Sequence, residues 1–574
     1  MNTNKNLKRN VSVELITDPK MAMNEVGLDF YDNSLYPSIN LEAPRDRTPV
    51  LIKTSDNKYG LVFKNVEMGN YLPHGRAVDI VRKNNIKLAS YSAYFIITDK
   101  DEVLKVAPDE TTTLYNMFPV DTVTVNSDIP VARYIRYKSK FNINIKPDQS
   151  EVPIYVYEVD KKEVASIFSE VHSNDEKIAE RFIDELLSMN KNDKKDLKGY
   201  LKLEKKDQFE VLNDLMKQKG ISSILADTKL TIHMFTALPW DEIEEGSFLA
   251  FYDGKQALIL SPRHIDNKRI KLLNRFDNLS KAIENITGQD TIIGFEGMSL
   301  DIGRALSIGL HRLTDITYLL GLWRDRMAYQ ELAYYIIDIQ ANRYAMENAL
   351  AFTGEALRKG ETLTEIDVEN KFIELLGEFR AKYGCTNLDF KKYFVVLHAG
   401  ARSPYPALSS NYKLNMDMKT LKLDAGVFLF KDGILRSATD ICRSLVLTDE
   451  GKEVYEILGA NIRRDVIPNI KVGMTGEDTY WLGLSPLAKL EGRLKNINML
   501  AKDFSLKDRY NRDIGHTISK EESRTISIEK GNTTQQWEAF MFGCIEYQWP
   551  YAKHTIGIED MFLVTPYKTL NITI

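Results

Sequence analysis

Cysteine is scarce in this chain: only Cys385, Cys442 and Cys544 occur in 574 residues. An odd, widely spaced trio excludes a disulfide framework and points to a reducing compartment. Long apolar runs are lacking as well. The longest candidate, around Ile316 to Trp323, is interrupted by Gly321 and closed by Arg324, short of the roughly 18 residues a membrane helix needs. The N-terminal stretch Met1 to Arg9 is basic, but no apolar core follows it, so no signal peptide is expected and the expected location is cytoplasmic. Nor is positive charge in surplus: 76 basic and 81 acidic residues, well mixed, give a net charge of −5 and no basic stripe for nucleic acid. Neither nucleic acid nor a membrane is an expected partner.

What is present is an ordinary globular composition, 43% apolar and 27% charged, in a chain too long for one hydrophobic core. The pattern is α/β. Residues 1–173 read as an N-terminal α/β region that begins with an extended arm over about 1–45, has a short helix near 78–83 and a hairpin from Tyr94 to Val106, and ends near the strand Ile154 to Val159. Residues 174–207 read as a charged, solvated helical linker. A helix, a strand and a hairpin in order mark a further domain over 208–324, and the broad apolar face from Tyr329 to Ala351 opens a last domain over 325–574. Within it Thr364 and Asp367 are placed to cap a helix whose Phe372, Leu375 and Leu376 face the core.

Chemistry concentrates between Leu423 and Ser444. Two strands flank Lys431-Asp432-Gly433, and residue 432 is midway between Asp424 and Asp440. A hairpin folded about that centre sets the two acids opposite each other, their Cβ atoms about 5 Å apart. Carboxylates that close require a shared proton or a cation, unless both are solvated at the hairpin ends. Downstream come Asp513-Ile-Gly-His516, Cys544-Ile-Glu546 and Gly557-Ile-Glu559-Asp560, each in a strand-like setting. An Asp, Asp, His, Glu, Glu set suits two divalent ions.

Residue by residue, Asp424-Ala-Gly, Asp440-Ile-x-Arg443, Gly515-His516, Ile545-Glu546 and Ile558-Glu559-Asp560 resemble the metal-ligand motifs of the creatinase/aminopeptidase P (pita-bread) metallopeptidase family, which includes methionine aminopeptidase and prolidase. The resemblance covers roughly 208–574. It implies a C-terminal pita-bread catalytic domain, a creatinase-type domain before it and, over 1–173, a diverged copy of that domain. It also implies two divalent metal ions, Mn first with Zn, Co or Fe as alternatives, held by Asp424, Asp440, His516, Glu546 and Glu559. Glu546 would bridge them and serve as catalytic base in removing the N-terminal residue of an Xaa-Pro peptide, and the chain would act as a homodimer. A small C–N substrate, or a non-catalytic binding role like that of certain histone-chaperone domains on this fold, are the alternatives.

Several positions depart from the family pattern. A substrate-facing histidine is replaced by Ala407, a second histidine by Ser523 and an arginine by Gly557, leaving His398 or His554 as spatial substitutes and His398 as the candidate catalytic one. Cys442 and Cys544 stand where threonine is usual, and strand period turns both toward the ligand face, unless they simply fill a core. The two aspartates are 16 residues apart, against about eleven in the family motif, which implies a longer hairpin.

Overall fold

The computed structural model describes residues 152–171 and 173–574, apart from 244–247, 288–291, 297–311, 404–408, 498–499, 501–504, 507–509, 511–512 and 552–553. Before residue 152 it describes the strands named below, the helix Val131–Lys138 and a few adjoining positions. The arm read over 1–45 lies outside the described residues except for one strand, and so does the short helix read over 78–83. The described residues form two compact units, one of 1–159, 220–232 and 244–317, the other of 160–219, 233–243 and 318–574.

The first unit holds two seven-stranded sheets. One contains β1 (Val13–Ile16), β2 (Val50–Thr54), β3 (Tyr59–Lys64), β4 (Tyr94–Thr98), β5 (Val103–Ala107), β6 (Thr122–Asn126) and β7 (Asn142–Lys146), in the order β5-β4-β3-β2-β1-β6-β7. The other contains β8 (Ile154–Val159), β9 (Ser223–Ala226), β10 (Leu249–Tyr252), β11 (Ala257–Ser261), β12 (Ile270–Phe276), β13 (Ile293–Phe295) and β14 (Leu313–Asp315), in the order β12-β8-β11-β10-β9-β13-β14. The hairpin expected from Tyr94 to Val106 and the one expected within 208–324 are both formed, as β4 with β5 and β10 with β11. Strand β8 inserts between β11 and β12, so the sheet built mainly by 223–315 is completed from upstream of the charged helical stretch.

In the second unit the helices α1 (Ser173–Glu185) and α2 (Lys191–Leu201) occupy the stretch read as a solvated linker. They are not solvated connectors: Ile178, Phe182, Ile183 and Leu197 are buried in the main core with the long helix α3 (Leu332–Arg358). The charges that dominate the composition lie on the opposite faces, which is why composition alone misled. Helix α4 (Glu365–Tyr383) starts at the expected capping box, Thr364 with Asp367, and stops at Gly384, whose φ of 73° suits glycine.

These helices back a nine-stranded sheet of β15 (Asp389–Ala399), β16 (Thr420–Lys431), β17 (Ile434–Ala438), β18 (Ile441–Val446), β19 (Gly515–Ile518), β20 (Glu522–Ser527), β21 (Phe542–Tyr551), β22 (His554–Val564) and β23 (Thr569–Asn571). Its main path is β15-β16-β18-β22-β21-β19-β20, with β17 on β16 and β23 on β22. Every pairing in it is antiparallel. Among the described residues no helix is long and apolar enough to cross a membrane.

Candidate metal centre

The hairpin of β16 and β17 turns at Asp432 and Gly433, both at positive φ, which a side chain tolerates poorly except at such a two-residue turn. Phe430 pairs with Leu435 but Leu429 pairs with Ser437, so Arg436 is an extra, unpaired residue. The bulge directs the buried Arg436 guanidinium to Glu331, 2.9 Å away. It also moves the pairing by one residue. The two-residue turn at Asp432 and Gly433 shifts each partner by one residue from a hairpin centred on 432, and the bulge adds a second, so Asp424 stands opposite Cys442 and the expectation that it faces Asp440 is corrected. Asp440 lies between β17 and β18, two residues before Cys442. The junction before it is pinned by Asn342 of α3, whose amide donates to the Ala425 carbonyl (2.7 Å) and to Thr439 Oγ1 (2.9 Å).

Register and the two-residue period of strands arrange the site as three rows on one sheet face. In the middle row Asp424 pairs with Cys442, Cys442 with Glu559 and Glu559 with Glu546. On one side lie Asp440, Met561, Cys544 and His516, of which Met561 pairs with Cys544 and Cys544 with His516. On the other lie His398, Lys422, Ser444, Gly557 and Gln548. Gly515 permits the close approach of β19 to β21, because its φ is 139° and a Cβ there would overlap the Cys544 carbonyl.

Asp440, His516, Cys544 and Glu559 each present one ligand atom, all within 4.8 Å of one another and all buried. His516 Nδ1 lies 3.1 Å from the Thr517 carbonyl, which fixes the proton there and leaves Nε2 as the lone-pair atom, 3.6 Å from Asp440 and 3.9 Å from Glu522. Burial, then the neighbouring Glu559 and other acids, holds the Asp440 carboxyl well above the usual range. Burial, then Glu546 and Asp424, does the same to Glu559. Burial also pushes the Cys544 thiol up, and burial with Arg524 beside it pulls the His516 imidazole down. Asp440 Oδ1 and Glu559 Oε1 are buried without any hydrogen-bond donor. Buried acceptors without donors are costly, and a cation satisfies them. The four residues therefore fit a divalent ion.

Asp424 and Glu546 stand differently. The Gln548 amide donates to Asp424 Oδ2 (3.0 Å) and Glu546 Oε2 (3.3 Å), while Lys422 Nζ donates to Gln548 Oε1 (2.9 Å) and stands 3.8 Å from Asp424. Neither belongs to the four-residue group. Sequence reasoning passed over Lys422 and Gln548, although the period of two was available: each is two residues from an expected ligand.

Among the remaining expected positions, His398 is buried in the Lys422 row, on the ligand face. His554 is five residues before Glu559 in a regularly paired strand, so it belongs to the opposite face. Ser523 hydrogen-bonds Thr517 Oγ1 at 2.8 Å, and Ala407 lies outside the described residues. Glu522, unforeseen, is held by Arg524, which also binds Asp513. All three cysteines are free and buried, with Cys442 and Cys544 at the centre.

A model of the metallopeptidase family M24 matches residues 339–566. No curated protein sequence matches the chain. Among solved structures, an X-prolyl aminopeptidase from Caenorhabditis elegans, described as a cytosolic enzyme with a di-nuclear active site, is 13% identical, covers 97% of this chain and 90% of its own, and has a TM-score of 0.55. A prolidase from Pyrococcus furiosus is 16% identical over 63% of this chain and 99% of its own, with a TM-score of 0.45. The N-terminal domain of the FACT complex subunit SPT16 from Eremothecium gossypii is 12% identical over 64% of this chain and 95% of its own, also at 0.45. Asp440, His516 and Glu559 converge inside the matched span, so residues 339–566 of this chain are similar to metallopeptidase family M24 and carry Asp, His and Glu side chains brought together in one buried group.

Proposed function

We propose that this chain is a metal-dependent hydrolase that removes the N-terminal residue from Xaa-Pro peptides, acting as a cytoplasmic homodimer. The observation that carries the reading is the convergence of Asp440, His516, Cys544 and Glu559 with two buried carboxylate oxygens that lack donors. A catalytic scaffold retained only for binding has no use for that arrangement. The X-prolyl substrate comes from the name of the structure that spans nearly the whole chain, and it agrees with the motif resemblance.

When bound, a divalent ion supplies Lewis acidity and a water of lowered pKa. The chain's own residues do the rest. Glu546, paired across the strands with Glu559, would take a proton from the attacking water and return it to the leaving amine. Gln548 holds Glu546 Oε2 and so fixes the carboxylate in position. His398, paired with Lys422 on the same face, would donate to the scissile carbonyl in the role that Ala407 cannot fill.

The test is turnover of a panel of Xaa-Pro dipeptides and tripeptides by the full chain loaded with Mn, Co or Zn. Glu546→Gln should lower the rate about 10² to 10⁴-fold while metal content stays unchanged. Metal-loaded protein with no turnover on any peptide would point instead to a small C–N substrate. Protein that takes up no metal would leave the binding role.

A further inference from the structure

We infer that this chain holds one divalent ion, on Asp440, His516, Cys544 and Glu559, and that the Lys422 ammonium with the Gln548 amide occupies the half of the centre beside Asp424 where a second ion would bind. The inference rests on the metal-dependent reading above.

Two strands deliver the occupying groups. Lys422 is on β16 and Gln548 on β21, and they meet above Gly557 of β22, which with Ser444 of β18 lies between them in the row. A Cβ at Gly557 would stand 2.8 Å from both Lys422 Cγ and Cδ and 2.5 Å from Cys442 Sγ. Glycine therefore leaves the channel through which the lysine stem passes. The backbone at this point is held by Ser444, whose Oγ donates to the Gly557 carbonyl and accepts from its N–H, both at 2.9 Å. The result is a buried ammonium at 3.8 Å from Asp424 and an amide shared between Asp424 and Glu546. A fixed cation there neutralises Asp424, and each donor bond uses a carboxylate oxygen that a second ion needs.

The other half is chemically distinct. Cys544 faces His516 and Glu559, so the set is one sulfur, one nitrogen and two oxygens. Four ligands of that kind suit a tetrahedral borderline ion such as Zn²⁺ or Co²⁺ better than Mn²⁺, which prefers oxygen. On binding, the thiol proton is released to solvent and the sulfur ligates as thiolate.

The experiment is elemental analysis of the full chain purified without chelator, then reconstitution with Co²⁺ followed by absorption spectroscopy. Expected are one ion per chain and an intense thiolate-to-cobalt charge-transfer band, which Cys544→Ser abolishes. Lys422→Met keeps the stem over Gly557 but removes the charge, and should raise the stoichiometry to two while keeping the band. Lys422→Ala should do the same, and the retained band reports that the first half is still folded. Two ions in the unaltered chain would overturn this inference and leave the hydrolase proposal standing. No ion would overturn both. One ion without the band would remove Cys544 from the ligand set, and a banded Lys422 variant that still binds one ion would show that the lysine does not exclude the second.

Discussion

Gly557→Ala is a small change with a large expected effect, because the added methyl has nowhere to go. It would contact the Lys422 stem at 2.8 Å and Cys442 Sγ at 2.5 Å, distances below any normal carbon contact. Overpacking of a rigid core costs about 1–3 kcal/mol. If the lysine gives way, its charge-assisted bond to Gln548 is lost as well, worth about 1.5–3 kcal/mol. Since only one of the two relaxations need be complete, a loss of roughly 2–4 kcal/mol is expected. All five tryptophans, at positions 240, 323, 481, 537 and 549, lie in the unit that carries the metal centre, so urea unfolding followed by tryptophan fluorescence reads that unit alone. The specific claim is that the lysine stem is what the methyl strikes. In a Lys422→Ala background the same substitution should therefore cost about 1–2 kcal/mol less, a coupling well outside the 0.3–0.5 kcal/mol within which independent sites add. Additive costs would refute the account of Gly557 as the lysine's channel.

Two further outcomes follow from buried charges away from the ligand set's own bonds. Asp560 is fully buried and accepts from Arg443 Nη2 and Arg463 Nε, each at 2.7 Å, and from Asn571 Nδ2 at 3.1 Å. Asp560→Ala leaves a buried guanidinium unpaired and should cost about 3–5 kcal/mol in the same fluorescence assay, loosening β18 from β22. His233 is buried with Nδ1 2.8 Å from the Leu238 carbonyl and Nε2 accepting from the Leu435 N–H at 3.1 Å, a pattern only the neutral ring satisfies. Burial first, then Lys520, pulls its pKa down to about 3. Below the ordinary value of 6.5 the unfolded chain takes up a proton that the folded chain refuses, so this residue's contribution to stability is complete above pH 6.5 and falls as pH drops toward 3. Between pH 6.5 and 5 the loss is about 2 kcal/mol, and His233→Gln should abolish that part of the slope in urea titrations at the two pH values.

Much of the centre was legible without coordinates because a strand's period is a local property. Residues two apart share a face, so Asp440 with Cys442, Cys544 with Glu546, and Glu559 with Gly557 could be assigned to one side from the sequence alone. The same rule reached Lys422 and Gln548, whose importance was missed because nothing local says that a lysine and a glutamine 126 residues apart will meet. The start of helix α4 was equally readable, because its capping box is written within one segment.

What only the tertiary structure decided is register. The two-residue turn and one bulged residue, Arg436, together moved the partner of Asp424 from Asp440 to Cys442, and the bulged Arg436 is held by Glu331 in a different part of the chain. Charge content likewise described the surface of α1 and α2 but not the apolar stripe that packs them onto α3. The sequence by itself determined the ligand types, the faces they share and the α/β class. The pairing of distant strands, set by long-range contacts that no local pattern encodes, decided which of those ligands converge as a group of four and which are held by a lysine and an amide instead.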